Sequence, residues 1–413
     1  MDETNLLTCR FCGERLNVLF ADLGASPLAN SYLTPAQLHQ AEPFYPLRVY
    51  VCASCLLVQA EAFETPEAIF TDYAYFASYS DSWLQHAKAY TEMAVPRFGL
   101  DRHSLVLELA SNDGYLLQYF AAKGIPVLGV EPAHNVANVA IKKGIPTVVK
   151  FFGEQTSREL SEQGVQADLI VGNNVLAHVP QLNDFVRGIK IALKATGVIT
   201  MEFPHLIRLV KENQFDTIYH EHFSYFSLIA VEKIFAAHGL TLFDVDELDT
   251  HGGSLRIYAK HAEDASKRIH PRIIDLRRQE ENAGFICLET YRCFADKVKA
   301  TKYGLLEFLI RAKREKKIIV GYGAPAKGNT LLNYCGIRSD FIEYTVDRSP
   351  HKQGHFLPGT HIPIYDPDKI SQTRPDYVLI LPWNLKDEVM AQMNHIRDWG
   401  GQFVVPIPEV KVL

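Results

Sequence analysis

The chain has 413 residues and a formal net charge of −6, from 42 Lys and Arg against 48 Asp and Glu. The length predicts two or three domains rather than one core, and the acidic balance lacks the basic footprint of a nucleic-acid binder. No apolar run approaches a membrane span, and the amino terminus shows no positive region followed by an apolar one, so no membrane partner and a cytoplasmic location are expected.

Cysteines open the chain. Cys9, Cys12, Cys52 and Cys55 form two Cys-x-x-Cys pairs separated by Gly13–Val51. Each pair presents two thiolates from one tight turn, and two turns complete a tetrahedral zinc site. Four thiolates fill the shell and leave no open position, so the metal is expected to be structural. Cys287, Cys293 and Cys335 lack this spacing and read as buried free thiols. A connector rich in tyrosine follows, Tyr73-Ala-Tyr75-Phe-Ala-Ser-Tyr79, and then a helix over Asp81–Val95 that Pro96 should end.

Strand and helix patterns then alternate. Strands are expected at Leu105–Leu109, Pro126–Glu131, Thr147–Lys150, Asp168–Gly172 and Val198–Phe203. Helices are expected from Gly114, near Val136–Lys143, and along Phe185, Val186, Ile189 and Leu193, with Gly197 able to stop the last. A helix at Val231–His238 and strands at Thr241–Val245 and Ser254–Ala259 come after. This alternation predicts an α/β fold with a mostly parallel sheet. Ala265 to Arg314 is charged and helical, and a second α/β unit begins at Lys317. The expected division is a zinc-binding unit over 1–70, a nucleotide-binding Rossmann-like domain over 71–262 and a second Rossmann-like domain over 263–413.

Two turns carry nucleotide-binding signals. In Val106-Leu-Glu108-Leu-Ala110-Ser111-Asn112-Asp113-Gly114 a hydrophobic strand enters a small-residue turn, where backbone N–H groups can approach a ligand closely. Glu131, followed by Pro132, ends the next strand, where an acid can accept ribose hydroxyls. NAD or S-adenosylmethionine could occupy such a site. The three-glycine dinucleotide spacing is missing, while an acid inside the first strand and a late antiparallel strand favour S-adenosylmethionine. The second turn, Gly321-Tyr322-Gly323-Ala-Pro-Ala-Lys327-Gly328, is neither a P-loop nor a dinucleotide fingerprint. It could contact nucleotide or phosphate through Gly323, Lys327 and Asn329, with Asp347 on a ribose and Trp383 stacking on a base or lining the cleft.

The densest chemistry lies in Ile218-Tyr219-His220-Glu221-His222-Phe223-Ser224-Tyr225-Phe226, after the strand ending at Phe203. Imidazoles that titrate near neutral pH, next to phenols and a carboxylate, suit removal of a weakly acidic proton and stabilisation of the anion. A reductase or epimerase dependent on NAD is the alternative enzyme class.

These landmarks together resemble the three-domain zinc-containing sugar C-methyltransferases that act on nucleotide-linked deoxy-keto sugars. The resemblance spans nearly the whole chain. It rests on the two Cys pairs, Asp22-Leu-Gly-Ala-Ser-Pro-Leu-Ala-Asn30, Glu108-Leu-Ala-Ser-Asn-Asp-Gly114, Asn173-Asn174-Val-Leu-Ala-His178, Tyr219-His-Glu-His222-Phe-Ser-Tyr-Phe226, Gly252-Gly-Ser-Leu-Arg256 and Gly321–Gly328. One departure is Ala110, where the family usually has glycine.

The resemblance implies S-adenosylmethionine held in the middle domain by residues 108 and 110–114, Glu131, Pro132, Asn173 and Asn174. It implies a dTDP-linked 4-keto-deoxyhexose as acceptor, methylated at C3 through an enolate. His222 would be the base, and Tyr219 and Glu221 would orient or protonate acceptor oxygens. His178 would hydrogen-bond the enolate oxygen or a sugar hydroxyl, and Tyr73 or Tyr75 could close over both ligands. The carboxy-terminal unit, including Tyr322, would hold the acceptor's nucleotide. Another small-molecule or macromolecular acceptor is the alternative within methyltransferases.

Overall fold

The computed structural model describes residues 7–65 and 76–413. Tyr73 and Tyr75 lie outside the described residues. Three sheets are present among the described residues. The first is antiparallel, in the order Val18–Ser26, Tyr45–Val51, Val58–Ala60 and, from far along the chain, Ser224–Tyr225. The densest chemical run is thus sewn into the amino-terminal sheet.

The second sheet has seven strands. Its order is Leu240–Leu248, Ser254–His261, Leu193–Pro204, Ala167–Asn173, Val106–Leu109, Val127–Val130 and Thr147–Val148. Ser254–His261 runs antiparallel to both neighbours, and the remaining pairs are parallel. The four central residues Val106–Leu109 are all buried, because helices cover both faces of a parallel sheet. The third sheet, over Ile319–Val412, has five parallel strands and an antiparallel edge strand.

Two expected stops moved. The helix Asp81–Phe98 contains Pro96 and ends at Gly99, which is left-handed (φ +63°) and donates its N–H to Val95 O. A proline in the last turn removes one hydrogen bond, whereas the left-handed glycine closes the helix. The helix Leu182–Ala192 ends before Leu193, which begins the strand Leu193–Pro204. Gly197 lies within that strand, where a Cβ would meet Leu193 Cδ1 at 2.6 Å. The glycine admits the Leu193 side chain rather than capping a helix.

Packing crosses the expected divisions. Ile273 and Leu276 of helix Pro271–Asn282 share a core with the central sheet, so the chain stays on that unit well past residue 262. Glu280 on this helix is fully buried and accepts the N–H groups of Leu228 and Ile229 at 2.7 and 2.9 Å, which caps helix Leu228–Ala237. The amino-terminal sheet is too small for a core of its own. Phe20 stacks on Phe294, with ring centroids 4.5 Å apart, and this sheet shares one core with the carboxy-terminal unit. No helix among the described residues is long and apolar enough to cross a membrane.

Candidate active site

The sulfurs of Cys9, Cys12, Cys52 and Cys55 lie within 4.8 Å of one another, with Cys9–Cys55 and Cys12–Cys52 at 3.5 Å. A tetrahedron with metal–sulfur bonds of about 2.3 Å has edges of about 3.8 Å, so the four thiolates fit one zinc ion. None forms a disulfide, and of the three remaining thiols expected to be buried only Cys335 is, while Cys287 and Cys293 are exposed on the charged helical segment.

At the carboxyl end of the central strands the chain turns sharply. Ala110, Asn112, Gly114 and Asn174 all have positive φ. Such conformations are costly outside glycine and persist where surrounding structure imposes them. The second strand comes so close that a Cβ on Gly129 would lie 2.3 Å from Ser111 Oγ. Glu131 receives the N–H groups of Asn112 and Ala133, both at 2.9 Å, and holds the turn in shape. Asn112 Oδ1 accepts the N–H of Ala77 at 2.9 Å, which ties the end of the connector to this turn. Asp113 pairs with Lys143 at 3.3 Å. Buried polar atoms nevertheless remain without a hydrogen bond: Ser111 Oγ, Asp113 Oδ1 and the side-chain oxygens of Asn173 and Asn174. Burial raises the Glu108 carboxyl well above its ordinary range. Orphaned acceptors around a strained turn are what a ligand with ammonium and hydroxyl groups would satisfy, so these residues fit S-adenosylmethionine.

The dense run packs beside the segment that follows strand Ala167–Asn173, with Phe223 N–H donating to Ala177 O at 2.8 Å. His222 and His178 pack edge-to-face with ring centroids 4.7 Å apart, and Tyr219 lies over His222 at 3.9 Å. His222 Nδ1 is 2.8 Å from Thr217 O. A carbonyl only accepts, so Nδ1 carries the proton and Nε2 keeps its lone pair. Burial first, then His178, hold His222 well below its ordinary pKa. His178 is likewise lowered to about 4 by burial. Glu221 is 3% exposed and accepts Asn30 Nδ2 at 2.7 Å, while its Oε2 is buried without a hydrogen bond. Burial pushes its carboxyl up to about 7. His220 points away, toward Pro46 O at 3.2 Å.

The carboxy-terminal unit reaches the same place. Lys327, in the first turn of helix Ala326–Cys335, is half-buried, and its charge lowers the pKa of both His222 and His251. It donates to Asn384 Oδ1 at 2.8 Å and lies 4.7 Å over the Trp383 ring. Trp383 is buried and donates its indole N–H to Asp216 Oδ2 at 2.6 Å. It bridges two domains through this bond.

Three other expected acceptor contacts have partners within the protein. Asn329 donates to Ala29 O at 2.6 Å, while its Oδ1 is buried without a hydrogen bond and stays available to a ligand. Asp347 receives Ala324 N–H at 2.7 Å and Ser349 N–H at 2.8 Å. The buried Tyr322 donates to Gln392 Oε1 at 3.0 Å. Gly323, at φ +87°, also has its N–H on Val346 O, and a Cβ there would strike Pro382 at 2.5 Å.

The sequence reading missed His251 and Asp216. His251 is open to solvent in the cleft, has a left-handed backbone (φ +58°), and sits 3.4 Å from Asn174 Nδ2. Asp216 is fully buried, and burial raises it to about 6. The only local signal for His251 was the Gly252-Gly253 that follows it. A cavity of about 1100 Å³ lined by Glu154, Arg158, Arg187 and Lys190 among others contains none of these groups.

A parallel sheet with one antiparallel insertion, an acid-lined turn with orphaned acceptors and a four-thiolate module define a zinc-containing methyltransferase that uses S-adenosylmethionine. Family models agree along the chain: a zinc binding domain matches residues 9–70, a methyltransferase domain residues 83–245, and a C-methyltransferase C-terminal domain residues 249–408. The chain is 36% identical over 405 residues to C-methyltransferase NovU of Streptomyces niveus, across 98% of this chain and 96% of that protein. It belongs to this C-methyltransferase family. Among solved structures, the PH0226 protein of Pyrococcus horikoshii is 15% identical over 48% of this chain and 100% of its own, with a TM-score of 0.38. Magnesium protoporphyrin IX methyltransferase of Synechocystis with bound S-adenosylmethionine is 15% identical over 43% and 78%, with a TM-score of 0.33.

Proposed function

We propose that this C-methyltransferase acts on a nucleotide-linked keto sugar, at C3 of a dTDP-linked 4-keto-deoxyhexose, through an enolate. The observation that carries the reading is the His222 tautomer. With Nδ1–H held by Thr217 O, Nε2 is a free base beside two further hydrogen-bonding rings, His178 and Tyr219. Its lowered pKa keeps it unprotonated at neutral pH.

S-adenosylmethionine supplies an electrophilic methyl group on sulfur, and residues 108 and 110–114 with Glu131, Pro132, Asn173 and Asn174 would hold it. His222 Nε2 takes the proton from the carbon next to the ketone. His178, neutral at pH 7 with its one N–H on the Glu221 backbone carbonyl, turns an acceptor nitrogen toward a sugar hydroxyl. Glu221, with a pKa near neutrality, orients or protonates an acceptor oxygen. Lys327 brings positive charge into the cleft and suits an anionic acceptor such as a nucleoside diphosphate sugar. A soluble anionic metabolite accords with a cytoplasmic enzyme.

The test is incubation with labelled methyl donor and a panel of dTDP- and GDP-linked keto sugars, followed by mass spectrometry. His222→Asn should lower turnover about 10²-fold or more while donor affinity is kept, since general bases contribute about 10²–10⁴-fold. Solvent deuterium should enter the acceptor carbon with wild type and not with the variant. Turnover near wild type in His222→Asn would remove the base from this account.

A further inference from the structure

We propose that Arg10, which sits between the metal-binding Cys9 and Cys12, is a positioning residue that transmits the geometry of the zinc site to the imidazoles of His222 and His178. The link is a continuous chain of hydrogen bonds. Gln59 donates Nε2–H to Cys9 Sγ at 3.1 Å and accepts the Arg10 backbone N–H at 2.9 Å. The Arg10 guanidinium then leaves the knuckle and grips the reacting segment. Its Nη2 donates to Ala60 O at 2.7 Å, and its Nη1 donates to Phe223 O. The guanidinium also lies 5.4 Å over the Phe223 ring. Ala60 and Phe223 are themselves joined, Ala60 N–H to Phe223 O at 3.0 Å.

Phe223 is therefore held from both sides. Its carbonyl accepts from Arg10, and its N–H donates to Ala177 O at 2.8 Å. Phe223 directly follows His222 and Ala177 directly precedes His178, so one peptide clamp fixes the two imidazoles against each other at 4.7 Å. A planar guanidinium with divergent donors can hold two carbonyls at once, which a lysine ammonium on a flexible stem does less well.

The zinc ion gives the clamp its fixed end. Four thiolates with neighbouring pairs at 3.5 Å repel one another unless a cation holds them. With the shell filled, zinc has no position left for an acceptor. Its contribution to the reaction is thus mechanical and runs through Arg10. Displacements of about 1 Å can cost about 10²-fold in rate.

This inference rests on the reading that His222 and His178 face the acceptor, and its test has an arm independent of any acceptor. Full-length, zinc-loaded Arg10→Met and Arg10→Lys proteins are compared with wild type. Metal content should stay at one zinc per chain and donor affinity within about twofold in both. Amide exchange over residues 217–226 should accelerate by about tenfold or more in Arg10→Met, while that over Val106–Leu109 stays unchanged. Methyl transfer should fall at least about tenfold in kcat, with the acceptor KM within about threefold, and Arg10→Lys should recover part of both losses. Unchanged exchange over 217–226 overturns the proposal, and so does loss of zinc from Arg10→Met, which would make Arg10 a support of the metal site instead. If exchange accelerates but no keto sugar is methylated, the positioning role stands and the acceptor assignment fails.

Discussion

Glu221→Gln offers a test that needs no ligand. Glu221 is buried, with one oxygen on Asn30 Nδ2 at 2.7 Å and the other without a hydrogen bond. Burial moves its carboxyl from the ordinary 4.5 to about 7 in the folded chain. The folded state therefore binds a proton more tightly than the unfolded state between these values, and stability falls as pH rises through that window. At about 1.4 kcal/mol per pH unit, the loss approaches about 3.5 kcal/mol well above pH 7, of which about 2.5 kcal/mol falls between pH 5 and pH 8. Glutamine keeps the shape and the acceptor for Asn30 but cannot ionise. Any constant cost of its extra N–H cancels when the two pH values are compared. For a cooperative unit of 413 residues, this should raise the melting midpoint of Glu221→Gln relative to wild type by roughly 3 °C more at pH 8 than at pH 5. Calorimetry at both pH values checks it. A difference between variant and wild type that is flat with pH would refute the buried, proton-binding carboxyl and the acid role built on it.

Two further outcomes follow from the same geometry. Lys327→Met should raise the acceptor KM by about tenfold or more while the donor Kd is unchanged, because its charge faces the cleft shared with His222 and His251; equal weakening of both ligands by calorimetry would contradict this division. Ala110→Val should abolish donor binding, since Ala110 sits at φ +51° and a β-branched side chain there is strained; Ala110→Gly should bind the donor at least as tightly as wild type.

Several features were legible in the chain itself. Two Cys-x-x-Cys pairs are local turns, so their spacing alone announced a metal site, and the four sulfurs do converge. Alternating strands and helices revealed the central sheet, because burial on both faces demands continuous apolar strands. Tyr219–His222 stood out by crowding of ionisable groups, and His222 and His178 do meet.

What stayed hidden depends on contacts between distant segments. Nothing local marks Arg10 as a partner of Phe223, 213 positions away, or Asn30 as the donor to Glu221. Asp216 and Trp383 are ordinary residues until the third domain docks and joins them. Asp347 and Tyr322 look like ligand contacts in isolation, yet folding gives their polar atoms partners within the protein. Residue order alone determined the metal ligands, the layering of the sheets and the identity of the reactive run, since these follow from short-range spacing and hydrophobic period. Only the tertiary structure decided which tautomer His222 adopts, which carboxyl holds a proton near neutrality and which polar atoms remain for a ligand, because hydrogen bonding and desolvation are set by neighbours the chain brings in from elsewhere.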